Sequence, residues 1–555
     1  MYGKNLFVWR GLFLKEGFLM DKSNRDSNLL SRFPLFLSYY FDFEIFQDYN
    51  PDDKYSNFNL FHKQKGFFTM EKFKNLNKSF INGEWTEGLS ERRYDILNPF
   101  DNSIFSDISI ATAGQLAETF EYAKEAQKEW AKTTPEERSE VILKAMEFLQ
   151  NNKDEIVQII AQETGGTLVK AGVELHLTLE ILEEAATITN EIYQVREVPS
   201  AMEGKVNHIH RLPLGVISSI SPFNFPMNLS MRTIAPAIAL GNAVVHKPDI
   251  QVAFTGGNII AAAFEYAGLP KGVLNVIQTD LTEIGDDMLT NPIPKLISFT
   301  GSTPVGRHIG EIAGRNLKRV ALELGGNNPF IVLEDADIDR AVDAAIFGKF
   351  IHQGQICMCI NRIIVHKDIY EEFLTKFVER AKALPYGNQL DPKTVVGPLV
   401  NERQLEKAVQ FIEDAKQAGN VLALEGKRVG NVLTPTIFRD VKNTDAIAQT
   451  EMFSPIVSVI KAETDEDAIA IANDTEYGLS SAIFTTDIEK GERLGLQIDS
   501  GMTHINDQTV NDAPNVAFGG NKASGMGRFG NPWIVEEFTV TKWISLQTKY
   551  RQFPF

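Results

Sequence analysis

The chain has 555 residues, 43% of them hydrophobic and 23% charged, with 40 glycines and a formal net charge of −18. That length exceeds what one core supports and argues for two large domains, and the composition excludes collagen-like, repetitive or wholly disordered chains. The acidic balance speaks against a nucleic-acid partner, because neutralising phosphates takes Lys and Arg.

The two cysteines, Cys357 and Cys359, stand one residue apart. A disulfide framework is therefore excluded, and a reducing, cytoplasmic setting is expected. No apolar run approaches the ~20 residues of a membrane helix, so no membrane partner is expected. Lys15 and Glu16 interrupt the N-terminal apolar stretch, and no alanine there offers a cleavage site, which argues against a signal peptide. No metal is expected.

Residues 1–70 hold 12 of the 37 phenylalanines and no alanine, unlike the alanine-rich segments that follow. They read as an atypical extension, either private to this chain or the product of a start placed too early; the favoured reading puts the true start at Met70. From residue 113, AETFEYAKEAQKEWAK and PEERSEVILKAMEFLQNNKDEIVQIIAQETG place apolar residues three and four apart, as helices do. Pro135 marks a helix start, with acidic residues behind it. The segment EVPSAMEGKVNHIHRLPLG, at about 196–212, predicts a two-stranded arm.

Residues 213–325 alternate strand-like and helix-like runs: GVISSIS, MNLSMRTIAPAIALGN, AVVHKP, VAFTGGNIIAAAFEYAG, GVLNVIQ, KLISFTG, PVGRHIGEIAG and KRVALELGG. Apolar strands alternating with helices predict a parallel sheet covered on both faces, with ligands at the carboxyl ends of its strands. Beyond residue 325, FIVL, RIIVH, PIVSVIKA and AIFTTD alternate with helical runs and predict a second α/β domain that opens with the cysteine segment. The last stretch, VEEFTVTKWISLQTKY, predicts a strand that pairs with the arm near residue 205.

Four segments carry chemistry. Cys357 follows Gly354 and Gln355 in FIHQGQICMCINR, where a thiolate could attack a carbonyl; a lone cysteine is more often a buried small hydrophobe. Glu323 ends a predicted strand before two glycines, a placement suited to a general base, although a solvated glutamate is the commoner case. Asn224 in SPFNFPMN can offer a side-chain N–H to an oxyanion or satisfy its own turn. In FTGSTPVG a glycine turn leads from strand to helix, and the amides there suit a dinucleotide pyrophosphate. Each signal is weak alone.

Together they resemble the aldehyde dehydrogenase superfamily, from INGEW at 81–85 to EEFTVTKWIS at 536–545, about five-sixths of the chain. PFNFP, HKP, FTGSTPVG, ELGGNNP, GQICM, EMFSPIV and FGGNKASGMGR occur in the family's order. The resemblance implies a Rossmann-type cofactor domain at 71–325, a catalytic domain at 326–525, and a segment 526–555 that completes an oligomerisation arm in a homodimer or homotetramer. It implies Cys357 as nucleophile, Asn224 with the Cys357 N–H as oxyanion hole, and Glu323 as base. For NAD or NADP it implies Lys247, Glu451, Phe453 and the loop residues Gly301, Ser302, Thr303, Val305 and Gly306. NAD-preferring members often carry a glutamate two residues after the proline of the lysine motif; here that position is Ile250, next to Asp249, so NADP is expected to be tolerated beside NAD.

Details such as KPDIQ and ASGMGRFG are similar to the benzaldehyde and vanillin dehydrogenase branch, which implies an aromatic aldehyde. The C-x-C spacing is also similar to succinate-semialdehyde dehydrogenases, for which Arg232 or Arg362 would have to supply a cation; both read as structural or surface arginines. Cys359 reads as a small core residue, with a strained disulfide to Cys357 under oxidation as the alternative. A catalytically idle binding or structural protein and a CoA-acylating enzyme are the rival readings of the whole chain; the retained Cys357, Glu323 and Asn224 speak against the first, and Glu323 as a base for water against the second.

Overall fold

In the computed structural model, which describes residue 73 and residues 75–555, the alternating runs form two sheets. The N-terminal extension inferred for residues 1–70, with its start at Met70, lies outside the described residues. The first sheet has eight strands, in the spatial order Glu84–Thr86, Ser79–Ile81, Leu274–Val276, Ala243–Lys247, Val216–Ile220, Leu296–Thr300, Arg319–Glu323 and Gly525–Met526. Its interior pairings are parallel and the outer ones antiparallel. The chain enters at Val216–Ile220, builds outward to one side, then crosses to Leu296–Thr300 on the other. That reversal opens a crevice at the carboxyl ends of these two neighbours.

Alternation along each strand sends side chains to opposite faces. Ile217, Val244 and Leu274 join one core with Ile159, Leu182 and Ile234 of the helices, while Val216, Val245, Ile297 and Phe299 join another with Leu116, Phe120 and Ile309. Burial on both faces is why these strands read as unbroken apolar runs. The second sheet has seven strands, in the order Val421–Leu424, Thr436–Arg439, Ile456–Ala462, Ile360–His366, Asn328–Val332, Ser480–Phe484 and Met502–Ile505. It too is covered on both faces. The α/β architecture expected from the alternation is the one observed.

Helix Pro135–Asn151 starts at the predicted proline, and Thr134 and Glu137 close a capping box around its first turn. The long helical stretch behind it is broken at Asn152, where a second helix, Lys153–Thr164, begins. The run VAFTGGNIIAAAFEYAG is not one α-helix as its periodicity suggests. It opens with a π-turn at Phe254–Asn258, where the Glu163 carboxylate accepts from the backbone N–H groups of Phe254 and Thr255 at 2.9 Å each, before the α-helix Ile259–Tyr266. The arm forms as Val195–Pro199 and Lys205–Pro213, and Thr539–Gln547 pairs antiparallel along the whole of the latter, from Thr539 opposite Pro213 to Gln547 opposite Lys205. Among the described residues no helix is long and apolar enough to cross a membrane.

Candidate active site

The residues singled out by sequence converge where the carboxyl ends of the first sheet meet the amino ends of the second. Ile220 pairs with Lys247 and Phe299, and Thr300 pairs with Glu323, so the segments that follow these strands are neighbours. Asn224 lies between Val216–Ile220 and the helix Pro226–Ala239 and is 3% exposed. Lys247 ends its strand, buried, with Nζ 3.4 Å from the Pro248 carbonyl. Burial lowers its pKa, while Asp249 and Asp280 favour the charge.

Cys357 stands before the second-sheet strand Ile360–His366, at its amino end. Helix Ile338–Phe350 runs into a left-handed turn, with φ of 50° at His352, 56° at Gln353 and 73° at Gly354. Non-glycine residues rarely hold this conformation, and when they do the surroundings enforce it. The loop that follows is held by partners: Asn328 Nδ2 donates to the carbonyls of Cys357 and Cys359 at 2.8 Å each, Thr509 Oγ1 donates to Met358 O at 2.6 Å, and Gln355 Oε1 accepts from Val400 N at 3.0 Å. Gly326 makes the approach possible, because a Cβ there would lie 2.3 Å from the Cys357 carbonyl oxygen. Burial pushes the Cys357 thiol above its ordinary range, Glu451 and Glu323 push it further, and Arg232 opposes them.

Glu323 is 3% exposed, and neither carboxylate oxygen has a hydrogen-bond partner among the described residues. Burial lifts its pKa to about 8, against the pull of Arg232 and Arg528. A buried carboxyl without partners is costly and marks a functional position. Glu451 accepts from Gly326 N at 3.1 Å, and burial lifts it to about 7. Phe453, in a left-handed conformation, meets Phe223 edge-on with ring centroids 5.9 Å apart.

The turn Gly301–Ser302 leads into helix Thr303–Arg315, whose N-cap Ser302 makes no side-chain cap bond. Its first-turn amides therefore suit an anion. Gly306 lets this helix lie against Leu324, whose side chain would stand 2.3 Å from a Cβ there. Val305 is exposed. Thr303 behaves differently from its neighbours: its hydroxyl donates to Ala523 O at 3.1 Å and accepts from Gly325 N at 3.3 Å, which ties the loop to the Glu323 strand.

Sequence reasoning passed over one residue here and weighed two arginines. Asn328 holds the cysteine loop, as above. Arg232, 6% exposed, is ion-paired to Asp512, its guanidinium carbon lies 3.8 Å from the Phe518 ring centroid, and its Nη1 has no partner among the described residues. Arg362, in contrast, is spent on Asn443 Oδ1 and the carbonyls of Asn327, Ile471 and Ala472. Both are buried, which rules out the surface role considered for them.

The profile of the Aldehyde dehydrogenase family matches residues 85–544. The chain belongs to this family. It is 70% identical over 483 residues to AldY of Bacillus subtilis, covering 87% of this chain and 100% of that protein. It is 47% identical over 472 residues to a vanillin dehydrogenase of Corynebacterium glutamicum, covering 85% and 97%. The crystal structure of an NAD-dependent benzaldehyde dehydrogenase from Corynebacterium glutamicum superposes with a TM-score of 0.79 at 44% identity, covering 85% of this chain and 98% of that one.

Proposed function

We propose that the protein oxidises an aromatic aldehyde of the benzaldehyde or vanillin kind to its carboxylic acid, with NAD as hydride acceptor and NADP tolerated, through a thioester on Cys357. The observation that carries this reading is Glu323, buried at the carboxyl end of its strand, with neither oxygen hydrogen-bonded among the described residues and a pKa near 8. Such a carboxylate can take a proton at mildly alkaline pH and give it up again.

The residues fit a dinucleotide. The uncapped start of helix Thr303–Arg315 offers amides to a pyrophosphate, with Gly301, Ser302, Val305 and Gly306 shaping the loop, and the buried Lys247 and Glu451 offer a donor and an acceptor to ribose hydroxyls. The bound nicotinamide supplies the acceptor for the hydride that leaves the aldehyde carbon. The protein does the rest. The Cys357 thiol gives its proton to the Glu323 carboxylate, which passes it on to solvent, and its sulfur bonds the carbonyl carbon. Asn224 Nδ2 and the Cys357 N–H hold the oxyanion. After oxidation to the thioester, Glu323 removes a proton from water, the hydroxide adds to the acyl carbon, and the Cys357 thiolate leaves with the carboxylic acid released. Water as acceptor, and not CoA, follows from a base already in place.

The aromatic substrate is supported by a cavity lined by Ile181, Ile188, Arg232, Pro236, Phe518 and Phe529, and by the benzaldehyde and vanillin dehydrogenases among the relatives. Of the two arginines considered for a succinate-semialdehyde preference, Arg232 is ion-paired to Asp512 and Arg362 is bonded to carbonyls. The arm carries exposed Val540, Trp543, Ile544 and Leu546, apolar surface suited to a second copy in a homodimer or homotetramer. Initial rates of cofactor reduction across aromatic, aliphatic and carboxylated aldehydes test the reading. It is overturned if aromatic aldehydes are the poorest class, or if Cys357→Ser keeps full turnover.

A further inference from the structure

Lys170 and Glu174 lie one turn apart on helix Leu168–Thr187, both fully buried, with Nζ 2.5 Å from Oε2. The other oxygen, Oε1, accepts from Met227 N at 2.8 Å and Asn228 N at 3.5 Å. Those amides open helix Pro226–Ala239, whose own N-cap, Phe225, contributes no side-chain bond. The first turn of a helix leaves unpaired N–H groups that favour a negative charge, usually supplied by the cap residue itself. Here the carboxylate comes from another helix and holds the amides three and four residues after Asn224.

The lysine reaches the same place from above. Its Nζ lies 4.4 Å from the centroid of the Phe225 ring, a cation–π distance. Phe225 in turn meets His352 edge-on, at 5.9 Å and 87°, and His352 opens the left-handed turn before Cys357. One buried pair therefore holds the segment that follows Asn224 directly and reaches the cysteine turn through the Phe225 ring. Burying two charges forfeits their hydration, and well-packed apolar side chains often hold a fold equally well. The gain from this pair is placement.

We propose that Lys170 and Glu174 are positioning residues for the oxyanion site: Glu174 fixes the start of the helix that follows Asn224, and Lys170 fixes the carboxylate and the Phe225 ring that packs on the cysteine turn. This rests on Asn224 being the oxyanion donor.

The test uses the full chain and compares Asn224→Ala, Glu174→Ala, Glu174→Gln, Glu174→Asp and the double variant Asn224→Ala/Glu174→Ala. The readouts are kcat and KM for benzaldehyde, cofactor-independent hydrolysis of para-nitrophenyl acetate, and NAD affinity by fluorescence. Glu174→Ala is expected to lower kcat and ester hydrolysis about tenfold or more, as small misplacements in active sites do, with NAD affinity changed less than about twofold. Glu174→Gln recovers most of the loss, because its amide oxygen still accepts from Met227 N. In the Asn224→Ala background, Glu174→Ala costs no more than about twofold further, the non-additivity of residues that act as a unit. The pair is overturned if Glu174→Ala stays within about twofold of the wild type, or if the two losses multiply. Should Glu174→Ala not fold, Glu174→Asp keeps the charge but withdraws the carboxylate by one methylene; full activity there overturns the proposal and a loss of about tenfold upholds it. Full activity of Asn224→Ala sinks the oxyanion reading itself, whereas an inactive Asn224→Ala beside an active Glu174→Ala sinks only the pair.

Discussion

Gly326 and Cys357 approach so closely that a single added carbon on the first would stand 2.3 Å from the carbonyl oxygen of the second. The backbone of the proposed nucleophile is thus placed by a residue thirty-one positions earlier, just before the neighbouring strand, together with the amide of Asn328. Gly326→Ala should move the cysteine loop without unfolding either sheet. The expected outcome is a kcat lowered about a hundredfold with a cooperative thermal transition retained, and wild-type kcat in that variant would contradict the placement.

Glu323 gives a pH dependence in two readouts. As a base it must be ionised, so turnover limited by thioester hydrolysis should rise with pH and level off above about 8. Glu323→Gln should lower steady-state kcat about a hundredfold or more, while rapid mixing still shows one burst of reduced cofactor per site. Stability runs the other way. The folded state keeps the proton up to about 8, whereas the unfolded chain loses it near the ordinary value of 4.5, so the wild type loses stability as pH rises between these limits. The unfolding free energy of Glu323→Gln should therefore gain on that of the wild type from pH 5 to pH 8, by a few kcal/mol at most, and then run parallel. A constant difference across that range would show that Glu323 is not buried as described.

Asp512 both neutralises Arg232 and raises the pKa of Glu323. Asp512→Asn should shift the rising limb of the rate profile to lower pH, since a nearby negative charge is removed and a positive one freed. The uncompensated guanidinium should also raise kcat/KM for carboxylated aldehydes relative to benzaldehyde, by about tenfold. An unchanged ratio would mean that Arg232 does not face the aldehyde.

Ile250 is buried in the short turn Ile250–Val252 that follows Lys247, and the Asp249 carboxylate is engaged as that turn's cap, accepting from Gln251 N at 3.0 Å. Neither side chain is arranged to reject a 2′-phosphate. Wild-type protein should use NADP measurably, and Ile250→Glu should lower kcat/KM for NADP about tenfold while sparing NAD. Strict NAD use by the wild type would refute this.

Cys359 donates to the Gly354 carbonyl at 3.1 Å and receives the buried ammonium of Lys349 at 3.7 Å. Cys359→Ala removes that partner and should destabilise the protein by about 1–3 kcal/mol in urea unfolding. Because this thiol is already committed, recovery of peroxide-treated activity by dithiothreitol should be the same in Cys359→Ala and the wild type. A loss of recovery confined to the variant would establish Cys359 as a disulfide partner of Cys357.

Much of this architecture was legible because both sheets are covered twice, which turns each strand into a continuous apolar word such as GVISSIS or RIIVH. Strand ends then pointed to Asn224, Lys247, Gly301 and Glu323 without any knowledge of packing. The π-turn at Phe254–Asn258 was not legible, since it depends on the distant carboxylate of Glu163. Nor was the commitment of Thr303, whose partners Gly325 and Ala523 come from two separate segments. Lys170 and Glu174 left a faint trace: they share a helical stripe with the buried Thr178 and Ile181, and charges one turn apart on such a stripe must satisfy each other.

The strand Gly525–Met526 has a consequence for biosynthesis. It completes the outer edge of the first sheet beside Glu323, yet it leaves the ribosome some two hundred residues after the strand it covers. A nascent chain therefore waits with that edge open, and a product truncated before residue 525 would display an unpaired backbone ready to recruit other strands. Quality control over full-length synthesis is, for this topology, also protection against aggregation.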